Sequence, residues 1–357
     1  MPLDDFGWDV HFERAFAPFV EKPDLEPARV LIEFNHNYRV VTGGGEREAG
    51  LAGRLKHHAT SRADLPAVGD WVVLRRQLPA ANGTIVSVLQ RRSRFSRRMA
   101  GQVTDEQVVA ANVDVVFTVM ALDDDFSPRR LERYLLMARE SGASPVVLLT
   151  KPDVATDLPA QVAEAVSVAG DLPVHVLSPK LNEGLEQVAR YLAPGRTAAL
   201  LGSSGVGKST IINRLAGADV QKTRAVREAD SKGRHTTTHR ELIMLPDGGL
   251  VIDTPGMREL QLWDASDGIR GTFDDVEQLA AACRFTDCRH RGEPDCAVVA
   301  AVHSGALAAE RLDSYLKFQG ELAVLARQQD QRAEIEAKRQ GKIGAKALRQ
   351  HLKSKRG

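Results

Sequence analysis

The stretch Gly202-Ser203-Ser204-Gly205-Val206-Gly207-Lys208-Ser209 decides the fold, because it matches the phosphate-binding pattern G-x-x-x-x-G-K-[ST] in full. It follows the apolar run Thr197–Leu201 and precedes a helical run that begins at Thr210. The glycines let backbone N–H groups wrap phosphates, and the helix N-terminus favours negative charge. We expect Gly202 to Thr210 to bind nucleotide phosphates. Lys208 would neutralise the β- and γ-phosphates, and Ser209 would ligate Mg²⁺.

A base-reading tetrad, Thr150-Lys151-Pro152-Asp153, comes earlier in the chain, at the end of the apolar run Pro145–Leu149. The Asp153 carboxylate can accept hydrogen bonds from guanine N1–H and its exocyclic amine, a donor pair that adenine lacks. The stem of Lys151 can lie across the ring. Position 150 departs from the usual Asn, which leaves its contact to the far edge of guanine open. One βα unit later, Ser178-Pro179-Lys180 is expected to be a second base-contacting loop.

The order of these motifs is reversed relative to an ordinary GTPase, in which the phosphate loop comes first and the tetrad late. Both are needed in one pocket, so the order predicts a circularly permuted nucleotide fold. Apolar runs alternate with helical patterns, which indicates a parallel sheet whose ligands bind at the carboxyl ends of its strands. The predicted strands cover residues 113–120, 145–149, 174–177, 197–201, 241–245 and 250–252, with a helix over 128–140.

Asp253-Thr254-Pro255-Gly256 follows the last of these strands. An acid at this place can hold Mg²⁺ through water, and the Gly256 amide can sense the γ-phosphate. The next residue, Met257, cannot orient an attacking water, so another group or a partner must do so.

A mobile switch is predicted at Gly233-Arg234-His235-Thr236-Thr237-Thr238. One threonine should complete the Mg²⁺ shell when the γ-phosphate is present. Spacing to Asp253 favours Thr237, and Thr236 and Thr238 remain open. His235 is the candidate that positions water or donates to the γ-phosphate, and a solvated loop histidine is the alternative.

Cys283, Cys288, His290 and Cys296 follow the spacing C-x4-C-x-H-x5-C, and they include all 3 cysteines of the chain. Three thiolates and an imidazole form a closed tetrahedral zinc set with no open position for catalysis. We therefore expect one structural Zn²⁺, with His303 as a weaker substitute for His290. The alternatives are a redox role or chance clustering.

Short β-like runs at residues 30–34, 38–41, 70–74 and 83–89, separated by Gly- and Pro-rich turns, predict a small barrel. An oligonucleotide-binding barrel is one candidate of that size. The preceding residues, 1 to about 28, read as a loosely held extension. Two basic stretches, residues 91–98 and 327–357, could contact RNA backbone, with Phe95 available for stacking.

The composition is that of a soluble globular protein, with 43% hydrophobic and 27% charged residues and a net charge of +1. No apolar run is long enough for a membrane span, and the N-terminus lacks the regions of a secretory signal. The few, clustered cysteines do not look like a disulfide framework. The expected compartment is the cytoplasm.

Taken together, the motifs resemble the bacterial circularly permuted GTPases of the RsgA (YjeQ) type over residues 29–325, as does Pro66-Ala67-Val68-Gly69-Asp70-Trp71-Val72. The resemblance implies an all-β oligonucleotide-binding (OB) barrel, an α/β permuted P-loop GTPase and a mainly α zinc-binding domain. It also implies a role in late maturation of the small ribosomal subunit. GTP hydrolysis would be slow alone and stimulated by the subunit, with GTP, GDP and rRNA as further ligands.

The expected boundaries are 1–28 for the extension, 29–98 for the barrel, 99–262 for the GTPase domain and 263–357 for the zinc domain with its basic helical tail. We expect a monomer that binds rRNA when GTP orders the switches and is released upon hydrolysis. One rival interpretation is a P-loop ATPase or kinase. Another is a zinc-stabilised RNA-binding module whose nucleotide site is only structural.

Overall fold

The computed structural model describes residues 2–34, 37–76, 82–98, 106–217, 240–253, 273–309, 311–320, 323 and 327. The chain divides into two compact units. The first comprises residues 1–97 and 106–261, and the second comprises 98–105 and 262–357.

A closed five-stranded barrel opens the first unit. Its strands are β1 (Leu25–Phe34), β2 (Asn37–Thr42), β3 (Gly45–Leu51), β4 (Trp71–Arg76) and β5 (Gly83–Val88). The hydrogen-bonded order is β1-β2-β3-β5-β4, and β4 pairs again with β1 to close the ring. The core contains Val30, Tyr38, Val72 and Ile85, all 0% exposed. The expected OB-like barrel is therefore present, and it gains β3, which sequence patterning did not predict.

The N-terminal segment is packed against the barrel, so the expectation of a loosely held extension is wrong. Helix α1 (Val10–Phe16) is capped at its N-terminus by Asp9, whose carboxylate accepts a hydrogen bond from the His11 backbone N–H. Its Phe12 is 0% exposed, and the Trp8 ring lies 4.7 Å from the Trp71 ring in an edge-on arrangement. Burial of these aromatic rings stabilises the segment on the barrel.

Part of the basic stretch at residues 91–98, which was predicted to contact RNA, is engaged within the protein. Arg91 makes two hydrogen bonds to the buried Asp70 carboxylate, at 2.8 and 2.7 Å, and others to backbone carbonyls of residues 63 and 65. Phe95 is 2% exposed, so its predicted stacking on RNA is wrong. Phe95 lies in strand β6 (Arg94–Arg98), which pairs with β7 (Glu106–Ala111).

The remaining strands build the α/β part of the first unit. They are β8 (Val115–Ala121), β9 (Ser144–Thr150), β10 (Val174–Leu177), β11 (Thr197–Leu201), β12 (Arg240–Met244) and β13 (Leu250–Asp253). Their order is β10-β9-β8-β11-β13-β12, parallel except for β12. Continuous apolar runs form the central strands because both faces are covered. The permuted order predicted from the motifs is confirmed.

The helices of this unit are α2 (Gly53–His58), α3 (Pro128–Glu140), α4 (Leu158–Ala169), α5 (Leu185–Ala189) and α6 (residues 208–217). Helix α3 has the predicted bounds, since the Ser127 hydroxyl accepts from the Arg130 N–H at its start and Pro128 occupies the first turn. The alternating pattern predicted helices between the strands but gave no bounds for α4 and α5, and α2 was not predicted. No described helix combines the length and apolarity that crossing a membrane requires.

One hydrogen-bonded sheet joins the barrel to the α/β part. Strand β1 pairs antiparallel with β12 at Ile32↔Glu241 and Glu33↔Arg240, and Arg240 Nη1 lies 3.7 Å from the Glu33 carboxylate. Strand β12 is the first described element after residues 218–239, which include the predicted switch. The barrel is therefore bonded directly to the strand that follows the switch.

The second unit contains α7 (Asp274–Ala280), α8 (Ala297–His303) and α9 (residues 311–320). Phe273 is 0% exposed, and its ring lies 5.6 Å from the rings of Tyr315 and Phe318. The described part is thus helical, as expected. Most of the predicted basic tail lies outside the described residues.

Candidate nucleotide and metal sites

The phosphate loop connects β11 to α6 and is shaped by its first glycine. Gly202 has φ 155°, and a Cβ there would lie 2.3 Å from the Val119 carbonyl oxygen of the neighbouring strand. Only glycine fits this approach. Ser204 and Gly205 are exposed at the crest of the loop, and Lys208 Nζ donates to the Gly202 carbonyl oxygen at 2.7 Å and to that of Ser203. The loop therefore already curves around its own lysine.

Helix α3 makes side-chain hydrogen bonds to the phosphate loop, and the sequence analysis did not predict them. Arg130 Nη1 donates to Ser203 Oγ at 3.1 Å, and the Tyr134 hydroxyl lies 3.0 Å from the same oxygen. Arg130 is held in turn by the Asp125 carboxylate. Arg130 and Tyr134 are four residues apart and hence share one helix face, which is the only sequence signal for this pair.

The tetrad lies at the end of β9, in the same sheet as the phosphate loop. Thr150 is 0% exposed, and its hydroxyl donates to the Val206 carbonyl oxygen at 2.6 Å. Lys151 has the left-handed φ of 57°, and its Nζ lies 2.7 Å from Asp123. This hydrogen bond lowers the pKa of Asp123. Asp153 is exposed, in the 3-10 turn Pro152–Val154.

The second predicted base loop is fastened to the helix that follows the phosphate loop. Arg214 in α6 donates to the carbonyl oxygens of Pro179 at 3.1 Å and Lys180 at 3.3 Å. Ser178 is 2% exposed and bridges to Glu183, whereas Lys180 is exposed. Both base loops and the phosphate loop are therefore tied together by hydrogen bonds.

Two of the predicted Mg²⁺ residues lie at the carboxyl edge of adjacent strands. Asp253 ends β13, and Ser209 lies in the first turn of α6 beyond β11, which pairs with β13. A hydroxyl and a carboxylate are oxygen donors that suit Mg²⁺. His235, Thr237 and Gly256, with the alternatives Thr236 and Thr238, lie outside the described residues.

The four predicted zinc ligands come together in the second unit. All four ligand atoms lie within 4.8 Å of one another. Cys283 Sγ is 3.8 Å from Cys296 Sγ and 3.6 Å from His290 Nδ1, and the latter two atoms are 3.4 Å apart. A tetrahedron with Zn–S bonds of about 2.3 Å and a Zn–N bond of about 2.0 Å has edges of about 3.5–3.8 Å. The group therefore fits one zinc ion, and His303, in α8, is not part of it.

Comparison with known proteins agrees with this geometry. The profile of the RsgA GTPase family matches residues 88–263. The small ribosomal subunit biogenesis GTPase RsgA of Opitutus terrae is 49% identical over 339 residues, 92% of each chain. The protein of the same name from Syntrophotalea carbinolica is 44% identical, covering 96% of this chain and 95% of that protein.

Among solved structures, YjeQ from Thermotoga maritima superimposes with a TM-score of 0.62 at 25% identity, covering 84% of this chain and 99% of its own. The chain is a GTPase and belongs to the RsgA family.

Proposed function

We propose that this GTPase acts in late maturation of the small ribosomal subunit in the cytoplasm, as a monomer that binds rRNA and couples GTP hydrolysis to its release. The observation that carries the proposal is the arrangement of the phosphate loop and the Asp153 tetrad at one edge of a permuted sheet. The names of its relatives supply the ribosomal part.

In this proposal the phosphates lie on Gly202–Thr210, and Lys208 exchanges its bonds to the loop carbonyls for bonds to phosphate. Ser209, Asp253 and Thr237 would hold Mg²⁺, which supplies positive charge to the phosphates when bound. Asp153 and Lys151 would recognise guanine, with Lys180 beside them. The paired donors of guanine favour GTP over ATP, which counts against the ATPase interpretation.

We further propose that His235 positions the attacking water, since Met257 cannot. His235→Ala should lower the subunit-stimulated turnover and leave GTP affinity unchanged. A variant with wild-type stimulated turnover would remove this role from His235.

The pairing of β1 with β12 gives nucleotide state a route to the barrel. A switch segment ordered by GTP would displace β12, which follows it in the chain. Strand β12 is hydrogen-bonded to barrel strand β1 at Ile32 and Glu33. Because ladder hydrogen bonds transmit displacement between neighbouring strands, the barrel would follow the switch. Hydrolysis would then lower the affinity of the barrel for RNA.

Helix α2 presents a basic surface on the described part of the barrel that could contact phosphate. Arg54, Lys56, His57 and His58 on α2 are all exposed, and none forms an ion pair with another residue in the described ranges. The acids that flank α2 in sequence are engaged elsewhere, since Glu48 forms an ion pair with Arg39 and Asp64 accepts hydrogen bonds from Thr60 and Ser61. We assign the RNA-binding role of the barrel to this α2 surface.

Binding to purified small subunits by co-sedimentation tests the assignment. The double variant Arg54→Gln/Lys56→Gln should weaken binding about tenfold and reduce the slope of log affinity against log salt by about 1.5. The matched control is Arg39→Gln/Arg75→Gln, because those arginines are paired with Glu48 and Asp24 on the same barrel. Equal losses in the two variants would contradict the assignment.

Nucleotide dependence tests the coupling. The protein should co-sediment with small subunits in the presence of a non-hydrolysable GTP analogue and dissociate with GDP. Equal binding in both states would count against release by hydrolysis. Competition by ATP as effective as that by GTP would favour the rival ATPase.

A further inference from the structure

Thr150, the first residue of the base-reading tetrad, lies beneath the phosphate loop. Its side chain is 0% exposed, while Asp153 of the same tetrad is exposed. Its Oγ1 is 2.6 Å from the Val206 carbonyl oxygen and 3.4 Å from that of Met120. The hydroxyl is thus surrounded by acceptors that belong to the phosphate loop and to β8.

The number of hydrogen bonds that a hydroxyl can donate decides which atoms of guanine Thr150 could recognise. A threonine hydroxyl carries one proton, and the short distance shows that the Val206 carbonyl oxygen accepts it. The far edge of guanine presents N7, which is an acceptor. An asparagine amide has two N–H donors and could serve the loop and N7 together, whereas Thr150 has no second donor.

We propose that Thr150 is a positioning residue that fixes the base-reading loop to the phosphate loop and makes no contact with guanine N7. The inference rests on the proposed binding of GTP at this site. Base specificity then falls on Asp153, whose carboxylate would accept hydrogen bonds from N1–H and the 2-amino group of guanine. The site should tolerate changes at N7 and reject changes at the N1 and 2-amino positions.

Competition against a fluorescent GDP analogue measures this directly, with GTP, 7-deaza-GTP and ITP as competitors. The analogue 7-deaza-GTP replaces N7 by C–H, and ITP lacks the 2-amino group. In the wild type, 7-deaza-GTP should bind within about twofold of GTP, because no bond is lost. ITP should bind about tenfold more weakly, because one donor to Asp153 is missing.

The variant Thr150→Val removes the hydroxyl at nearly constant shape and leaves the Val206 carbonyl without its donor. It should weaken GTP and 7-deaza-GTP by the same factor, about tenfold, so that their ratio stays at the wild-type value. Thr150→Ser restores the donor and should restore the affinity for both.

A loss of tenfold or more for 7-deaza-GTP in the wild type would overturn the inference. So would a change of more than threefold in the ratio between wild type and Thr150→Val, since that is the signature of a direct contact. Absence of any GTP binding would instead remove the proposed function and the inference together, so the two failures are distinguishable.

Discussion

Arg29 connects three parts of the first unit, and its replacement gives the sharpest stability prediction. Arg29 is 2% exposed, and its guanidinium donates to the carbonyl oxygens of Phe6, Gly69 and Asn112 and, at 2.9 Å, to Thr197 Oγ1. These partners belong to the N-terminal segment, the barrel and the start of the GTPase sheet. Burial lowers the pKa of Arg29 to about 10, so it remains charged at neutral pH.

The expected cost of Arg29→Met follows from these contacts. Four hydrogen bonds from a charged donor contribute about 1.5 kcal/mol each, or about 6 kcal/mol together. Removing the charge also removes the free-energy cost of burying it. The lowering of the Arg29 pKa to about 10 corresponds to about 3 kcal/mol for this cost. The free energy of unfolding should therefore decrease by about 3 kcal/mol.

Urea unfolding followed by tryptophan fluorescence measures this change. Trp8 and Trp71 lie together beside Arg29, and Trp263→Phe serves as the common background so that only these two report. Arg39→Met is the control, because Arg39 forms an exposed ion pair with Glu48 and should change stability by less than about 1 kcal/mol. A decrease below about 1 kcal/mol for Arg29→Met would refute the role of Arg29 as a buried clamp.

Three further predictions concern the sites. Gly202→Ala should abolish GTP binding, because the added Cβ would lie 2.3 Å from the Val119 carbonyl oxygen. The control Gly53→Ala adds a Cβ with no atom within 4 Å and should bind GTP normally. Equal GTP affinities of the two variants, measured by competition, would contradict this. His290→Ala should lose the zinc measured by elemental analysis, and His303→Ala should retain it; zinc retained in both would contradict the assigned ligand set. Because Lys151 lowers the pKa of Asp123, that pair stabilises the fold above the ordinary pKa of about 3.9 and its contribution disappears as pH falls through the lowered value. The stability difference between wild type and Asp123→Asn should therefore be constant above about pH 5 and shrink in acid, and a difference that grows in acid would be inconsistent with the pair.

The sequence predicted the permuted sheet well because its strands are continuous apolar runs that end in recognisable motifs. Strand β3 was missed because Gly45, Glu46, Glu48 and Gly50 give it little β propensity. It is held by pairing with β2 on one side and β5 on the other, which is a tertiary effect. The packed N-terminal helix did leave a signal, since Trp8, Phe12 and Phe16 recur every four residues.

The sequence predicted which motifs would form the nucleotide and metal sites, but it did not predict the hydrogen bonds between those motifs. The phosphate loop, the two predicted base loops and the zinc ligands could be recognised in the sequence because each consists of residues close to one another along the chain. The bonds from Thr150 to Val206 and from Arg130 to Ser203 join residues far apart in sequence. Likewise, Arg91 looked free as part of a basic run, and only the fold brings Asp70 to it.

The rate of GTP hydrolysis with and without purified small ribosomal subunits tests the central claim most directly. The proposed coupling predicts slow turnover alone and a rise of at least about tenfold with subunits, which Arg54→Gln/Lys56→Gln should reduce by weakening subunit binding. Turnover that subunits leave unchanged would contradict the ribosomal role of this GTPase.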